Sequence, residues 1–460
     1  MSRLFNFLCS KSSLKFVDVN IKKEYRILDL ELDEVEISDR KNIVFLYLDN
    51  SLEAIKVLLS FIKSKHALCL LDPKLNLEFK NNLELCYSPL YVYDISRTEL
   101  NGFTNEIINA QKIFKSEIKN KLLIHSDIKI LLSTSGTTGS PKLVKLSEEN
   151  LISNAESITD YLPISSTDVV PLNLPIYYSY GLSILTSNCS KGSTILCTNR
   201  TVLEKEFWGD FENYKCTSLA GVPYLYEMLK RIGFFKKSYA SLKYMTQAGG
   251  KLTTNLTKDY FNWSRQNNVK FYVMYGQTEA TARMSYLDYV DLNHKLGSIG
   301  KAIPNGTLKI SDVNSELLYN GPNVFGGYAS SPEELSSFDQ PEWLYTGDLA
   351  EMDAAGYIYI VGRLKRFIKL VGKRINIDEI ENFIKNEFKL DGISLFGLSD
   401  KKIIISHLNA IDTKQIKDKI RSKFDIHPTA IDFNKVEEIP TNSNGKIDFR
   451  KLEINYLNRN

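Results

Sequence analysis

Apolar positions in this chain come in short runs separated by stretches of mixed character. The run 42–48, Asn-Ile-Val-Phe-Leu-Tyr-Leu, is nearly continuous, the pattern of a strand buried on both faces. In 51–62, Leu52, Ile55, Val57, Leu58, Leu59 and Ile62 form one apolar side at helical spacing, and Ser51 is positioned to cap the helix. Strands are predicted over 128–132 and 143–146. A helix follows, capped by Ser147, with Glu148 and Glu149 in its first turn, where the helix dipole favours acids. Val222-Pro223 opens a helix over 224–232. The run 270–275 reads as a strand that delivers Gly276-Gln277-Thr278-Glu279 at its C-terminal end, where ligands collect in α/β sheets. Strands alternating with amphipathic segments predict α/β layers.

The pattern changes near 363–366. Before it, 356–361 is strand-like; after it come an amphipathic helix over 377–388, two short strands within 391–408 and a helix over 413–424. The expectation is a large N-terminal α/β domain of mixed sheets flanked by helices, residues 1–363, and a small α+β domain, residues 364–460. A length of 460 is too great for one ordinary domain.

A net charge of +3 implies no strong field for nucleic acid or an anionic membrane surface. The cysteines, Cys9, Cys69, Cys86, Cys189, Cys197 and Cys216, lie in or beside apolar stretches without C-x-x-C spacing, and the histidines are scattered. Reduced core cysteines and no metal cluster are expected. The first eight residues lack a signal-peptide pattern, and no run reaches the roughly 18 apolar residues that span a bilayer. A cytoplasmic protein without a membrane span is expected.

The stretch with most chemistry is Ser133-Thr134-Ser135-Gly136-Thr137-Thr138-Gly139-Ser140-Pro141-Lys142, set between two predicted strands. Its glycines let backbone N–H groups approach a polyphosphate, its hydroxyls donate to phosphate oxygens and its lysine adds positive charge. It departs from G-x-x-x-x-G-K-[ST], and alone the same composition also suits an ordinary hairpin loop. Six further segments accompany it in order: 175–181 (Pro-Ile-Tyr-Tyr-Ser-Tyr-Gly), Ala248-Gly249-Gly250, Tyr275-Gly276-Gln277-Thr278-Glu279-Ala280, Tyr345-Thr346-Gly347-Asp348, Gly362-Arg363-Leu364-Lys365 and 440–446 (Pro-Thr-Asn-Ser-Asn-Gly-Lys).

Together these segments resemble the signatures of the adenylate-forming (AMP-binding) superfamily, and in motif they are most similar to its acyl- and aryl-CoA synthetases. The resemblance covers residues from about 128 onward; the first 120 carry no diagnostic motif. It implies that a carboxylate attacks the α-phosphorus of ATP, pyrophosphate leaves, and the acyl-adenylate is passed to a pantetheine thiol. By the same resemblance Thr134, Ser135, Gly136, Thr137, Thr138 and Gly139 hold the phosphates and Lys142 closes over them. Thr278 binds the α-phosphate, and Glu279 holds Mg²⁺ through a hard carboxylate oxygen. Tyr275, next to Gly276, lies against adenine, with Gly249 and Gly250 giving it room. Asp348 accepts from the ribose hydroxyls, supported by Arg363. Lys446 bridges the substrate carboxylate and the phosphates, offsetting repulsion between two anions. Lys365 is the hinge on which the small lid domain turns, and Gly372 admits the pantetheine arm.

Residues 175–181 hold Tyr177, Tyr178 and Tyr180 and no acid, which argues against a free α-amino acid. The expected substrate site, Tyr178, Gly221 and Ala248, is small and apolar and suits an acyl or aryl carboxylic acid. Tyr178 replaces a histidine common in the synthetases. The acceptor is coenzyme A or the phosphopantetheine of an acyl carrier protein; Arg366, Lys369, Lys373 and Arg374 form a basic face that either could meet, or one that is simply solvated. A carrier-loading adenylation enzyme, a luciferase-like oxidoreductase and an inactive scaffold are the alternative readings.

Overall fold

The computed structural model describes residues 2–35, 40–117, 122–133, 142–364, 366–370, 373–398, 401–441 and 447–459. An eight-stranded sheet has the parallel strands Ile43–Tyr47, Ala67–Leu71 and Ile130–Ser133 near its centre. All five residues of Ile43–Tyr47 and of Ala67–Leu71 are buried, as the continuous apolar runs demand. Leu52–Lys63 forms the predicted helix, with the Ser51 hydroxyl accepting from the Ala54 amide. Leu143–Leu146 returns antiparallel to Ile130–Ser133 as its neighbour in this sheet.

A second sheet orders Ser218–Gly221, Tyr244–Gln247 and Lys270–Tyr275 in parallel, then Ser285–Leu287 and Lys301–Ala302 antiparallel. An antiparallel third sheet holds Thr307–Ile310, Glu316–Asn320, Leu344–Met352 and Ile358–Arg363. The motif-free N-terminal segment is structural: Arg3–Cys9 is helical, and Lys15–Asp18 pairs with Thr194–Cys197. Four of the cysteines are buried, but Cys86 is exposed, contrary to the expectation of core burial. Among the described residues no helix is long and apolar enough to cross a membrane.

Past residue 366 the chain builds its own cores. Ile393–Leu398, Lys402–His407 and Ile431–Lys435 form a three-stranded sheet. Leu395, Ile403 and Ile405 pack with Ile380 and Ile384 on one face, while Phe396 and Ile404 pack with Leu452 and Tyr456 on the other. Side chains alternate across a strand, so each face gathers its own helix.

Arg366 corrects one expectation. It does not stand free on a basic face: it pairs with Asp378, lies 3.1 Å from Glu381 and donates to the Leu395 carbonyl at 2.6 Å. Lys369, Lys373 and Arg374 have side chains outside the described set. Burial pushes the Glu381 carboxyl up, but Lys385 and Arg366 outweigh it and bring it down to about 2. A carboxylate held below its ordinary 4.5 contributes stability that is complete above pH 4.5 and is lost as pH falls toward 2. Glu381→Gln is therefore expected to cost about 3–5 kcal/mol at pH 7, because it leaves Arg366 short of a buried partner. It should also make stability fall less steeply below pH 4.5. Amide exchange in residues 377–407, followed across pH, reads both effects; an unchanged acid limb would remove the ion pair from the account.

Candidate active site

A cleft of about 1900 Å³ separates the two core regions. Tyr177, Tyr178, Gln247, Gly249, Gly250 and the run 275–279 line it from one side; Asp378, Lys385, Phe396, Thr441 and Ile447 line it from the other.

The strand Lys270–Tyr275 ends where Gly276 is needed: a Cβ there would lie 1.7 Å from the Ala282 carbonyl oxygen. This close approach folds the following turn back on the strand. Thr278–Ala280 forms one 3₁₀ turn, and Thr281 and Ala282 then adopt φ of +59° and +136°. Such backbone costs about 1–3 kcal/mol per residue unless its surroundings fix it. Asn323 supplies that fixation, donating to the carbonyls of Ala280 at 2.7 Å and Arg283 at 2.8 Å, while the Thr281 hydroxyl donates to the Asn323 carbonyl at 2.7 Å. The turn presents Thr278 and Glu279 to the cleft. The Thr278 hydroxyl sits 3.3 Å from that of Ser179, and Glu279 accepts from the Tyr328 hydroxyl at 2.8 Å.

Asp348 is 3% exposed, yet it lines the cleft. Its carboxylate accepts from the Tyr275 hydroxyl at 2.6 Å, pairs with Arg363 Nε at 3.0 Å and lies 3.4 Å from Gln277 Nε2. Burial and then the Asp348 charge push the Tyr275 hydroxyl far up, so it remains a protonated donor. Gly347, at φ +73°, donates its amide to Glu316 at 2.8 Å and turns Asp348 inward. An ionised carboxylate has about four acceptor positions, so Asp348 retains capacity for a ligand hydroxyl.

Lys142 lies with its Nζ 5.4 Å from the Tyr328 ring centre, bringing it to the same side as Glu279. Among the described residues no three His, Cys, Asp or Glu side chains gather as a metal site. The Glu279 carboxylate could offer a cation a hard oxygen ligand of the kind Mg²⁺ takes. Gly249 is at φ +83°, and a Cβ there would press Val222 at 3.1 Å. Tyr178 is buried at the N-cap of the helix Ser179–Lys191 and faces the cleft.

Gly221 and Ala248 do not line the cleft. A Cβ on Gly221 would meet Tyr226 at 2.7 Å, and the Ala248 amide donates to the Gly221 carbonyl at 3.1 Å, so both shape neighbouring strand ends. Thr134, Ser135, Gly136, Thr137, Thr138, Gly139, Lys365, Gly372 and Lys446 lie outside the described residues. Their neighbours Ser133, Leu364, Arg366, Thr441 and Ile447 all line the cleft. Sequence reasoning passed over Gln277, Glu316, Asn323 and Tyr328. Gln277 lies inside the segment 275–280, and Tyr328 directly follows Gly326-Gly327.

A family model described as "AMP-binding enzyme" matches residues 34–329. The 2-succinylbenzoate–CoA ligase of Staphylococcus epidermidis is 27% identical over 78% of this chain and 77% of its own. A probable CoA ligase of Humulus lupulus is also 27% identical, over 60% of this chain; the match spans 55% of that relative's length, as does the match to the oxalate–CoA ligase of Arabidopsis thaliana. Among solved structures, o-succinylbenzoate CoA synthetase of Bacillus subtilis in complex with its acyl-adenylate intermediate shares the fold with TM-score 0.78 at 19% identity, covering 98% of each chain. ATP-bound MatB from Rhodopseudomonas palustris does so with TM-score 0.77 at 20% identity, covering 99% of each. With the family model matched across most of its length, this chain belongs to the family of AMP-binding enzymes.

Proposed function

We propose that the protein is an AMP-forming acid–thiol ligase. A carboxylate oxygen of the acid attacks the α-phosphorus of ATP and pyrophosphate leaves. A pantetheine thiol then attacks the acyl carbon; AMP leaves and the thiol proton is lost. The supporting observation is the convergence, in one cleft, of Thr278 and Glu279 with the buried, donor-held carboxylate of Asp348. The relatives are named as CoA ligases and synthases, which favours coenzyme A as the thiol.

In this reading Asp348 accepts from the ribose, Arg363 orients it, and Tyr275 flanks the base beside Gly249 and Gly250. Residues 134–139 and Lys142 hold the phosphates, and Thr278 contacts the α-phosphate. Glu279 would hold Mg²⁺, which when bound neutralises phosphate charge. Lys446 approaches the reacting carboxylate. Residues 1–363 act as the large domain and 364–460 as a lid turning at Lys365, and Gly372 lies on the thiol's path. The direct experiment is ATP–pyrophosphate exchange with a panel of carboxylic acids. Acid-dependent exchange is expected; ATP binding without exchange for any acid overturns the reading.

Asp348→Ala is expected to raise KM for ATP roughly tenfold to a hundredfold, the worth of about 1.5–3 kcal/mol for a hydrogen bond to a charged acceptor. An unchanged KM for ATP would take the ribose away from this carboxylate. Lys446→Ala should slow adenylation roughly a hundred- to a thousandfold while sparing thioester formation from supplied acyl-adenylate, since the charge is needed only while two anions meet. Equal damage to both half-reactions would reassign it. For Lys365→Pro, single-turnover measurements should show adenylate made and held, because proline fixes φ and blocks the turn. Thioester formed at the parental rate would leave 363–366 a plain linker.

A further inference from the structure

Tyr328 touches an anion and a cation at once. Its hydroxyl donates to Glu279 Oε1 at 2.8 Å, and Lys142 Nζ lies 5.4 Å from its ring centre, within the reach of a cation–π contact. It lines the cleft and is 39% exposed, whereas Tyr226 and Tyr319 are fully buried and serve the core. Burial of its ring therefore does not explain where it stands.

Its backbone is braced from both sides. The short strand Tyr328–Ala329 pairs antiparallel with Leu143–Leu146, setting Tyr328 opposite Val144. On that partner strand Lys145 is buried; it donates to the carbonyls of Glu334 at 3.0 Å and Ser337 at 2.9 Å, which ties down the segment beyond Tyr328. Ahead of Tyr328, the Gly326 amide donates to the Lys145 carbonyl at 2.9 Å and the Phe325 amide to the Glu279 carbonyl at 2.9 Å. The Phe325 and Tyr328 rings meet edge-on, with centroids 4.9 Å apart. One segment thus grips Glu279 twice, at its backbone through Phe325 and at its carboxylate through Tyr328.

A glutamate side chain has several rotatable bonds, and ordering it costs entropy whenever one rotamer is required. A donor fixed on Oε1 meets that cost in advance. It uses one of about four acceptor positions, so the carboxylate keeps capacity for a hard cation. We propose that Tyr328 is a positioning residue: its hydroxyl orients Glu279 for a divalent cation, and its ring seats the Lys142 ammonium beside the nucleotide phosphates. The proposal rests on the ligase reading. The phenol takes part in no bond-making step; it acts through the two groups it touches. Loss of the hydroxyl and loss of the ring are therefore separable, the first felt at the cation and the second at the phosphates.

The test reads binding without the acid and without turnover. ATP affinity is measured by calorimetry with saturating Mg²⁺ and again in EDTA, for the parent, Tyr328→Phe, Tyr328→Leu, Glu279→Gln and the double variant Tyr328→Phe with Glu279→Gln. Tyr328→Phe keeps the ring and should weaken binding with Mg²⁺ roughly tenfold or more, the usual effect of removing a group that orients a metal-binding carboxylate, while binding in EDTA stays near the parental value. Glu279→Gln should show the same selective loss, and adding Tyr328→Phe to it should cost nothing further, because the two act as one unit. Tyr328→Leu also removes the ring and should weaken binding in EDTA by roughly twofold to fivefold, the worth of one cation–π contact. An equal loss for Tyr328→Phe with and without Mg²⁺, no loss in either, or an additive loss in the Glu279→Gln background overturns the proposal. Unaltered Mg²⁺-dependent affinity in Glu279→Gln takes the cation away from this carboxylate and the proposal with it. Acid-dependent exchange is a separate measurement: its absence for every acid defeats the ligase reading, whereas the binding series is decided by ATP and Mg²⁺ alone.

Discussion

Asp348 is the constraint on which the rest of the site depends. A carboxylate that is almost fully buried costs several kcal/mol unless donors surround it. Here they come from separate places: Tyr275 at the end of one sheet's central strand, Gln277 in the turn beyond it, and Arg363 at the end of another sheet's edge strand. Satisfying one charge therefore fixes two sheets against each other. Because Glu279 follows Tyr275 by only four residues, the same fixation sets where the Glu279 carboxylate stands relative to that of Asp348.

The turn after Gly276 transmits a second requirement. Its left-handed residues, Thr281 and Ala282, persist because Asn323 bonds to both ends of the turn. One strained segment thus carries Glu279 on the cleft side and Arg283 toward the interior. A change in that turn would be felt at both ends.

Much of this was legible in the sequence where the cause is local. Gly276 announces a close backbone approach, Ser51 and Ser147 cap the helices predicted for them, and the buried central strands appear as unbroken apolar runs. What stayed hidden depends on partners far along the chain. Asn323 and Tyr328 act on a turn more than forty residues earlier. Arg366 read as part of a basic face because the placement of Asp378 and Glu381 beneath it is a property of packing. Gly221 and Ala248 were recognisably small, but which way a small residue faces is decided by its neighbours: Tyr226 occupies the space beside Gly221. Arg283 passed as an ordinary charged residue after a motif, since its burial has no signature in one sequence.

The hydrogen bonds around the boundary also narrow where a lid could turn. Arg363 is held by Asp348, and the Leu364 amide donates to the Gly347 carbonyl at 2.8 Å, so the large region keeps its grip through residue 364. On the other side Arg366 is committed to Asp378, Glu381 and the Leu395 carbonyl, so the small region is braced from residue 366 onward. A rotation that preserved both sets of contacts would have to be absorbed between them. It would also carry Arg366, with the acids that neutralise it, as part of the moving body. Those pairs are internal to the small region, so reorientation need not break an ion pair or expose an unbalanced charge. The polar cost of the motion then falls on bonds that join the two regions, such as that from Asn376 Nδ2 to the Val361 carbonyl at 3.5 Å, and on those a ligand would add. In such an arrangement ligand contacts, rather than the strength of the junction, set which orientation prevails.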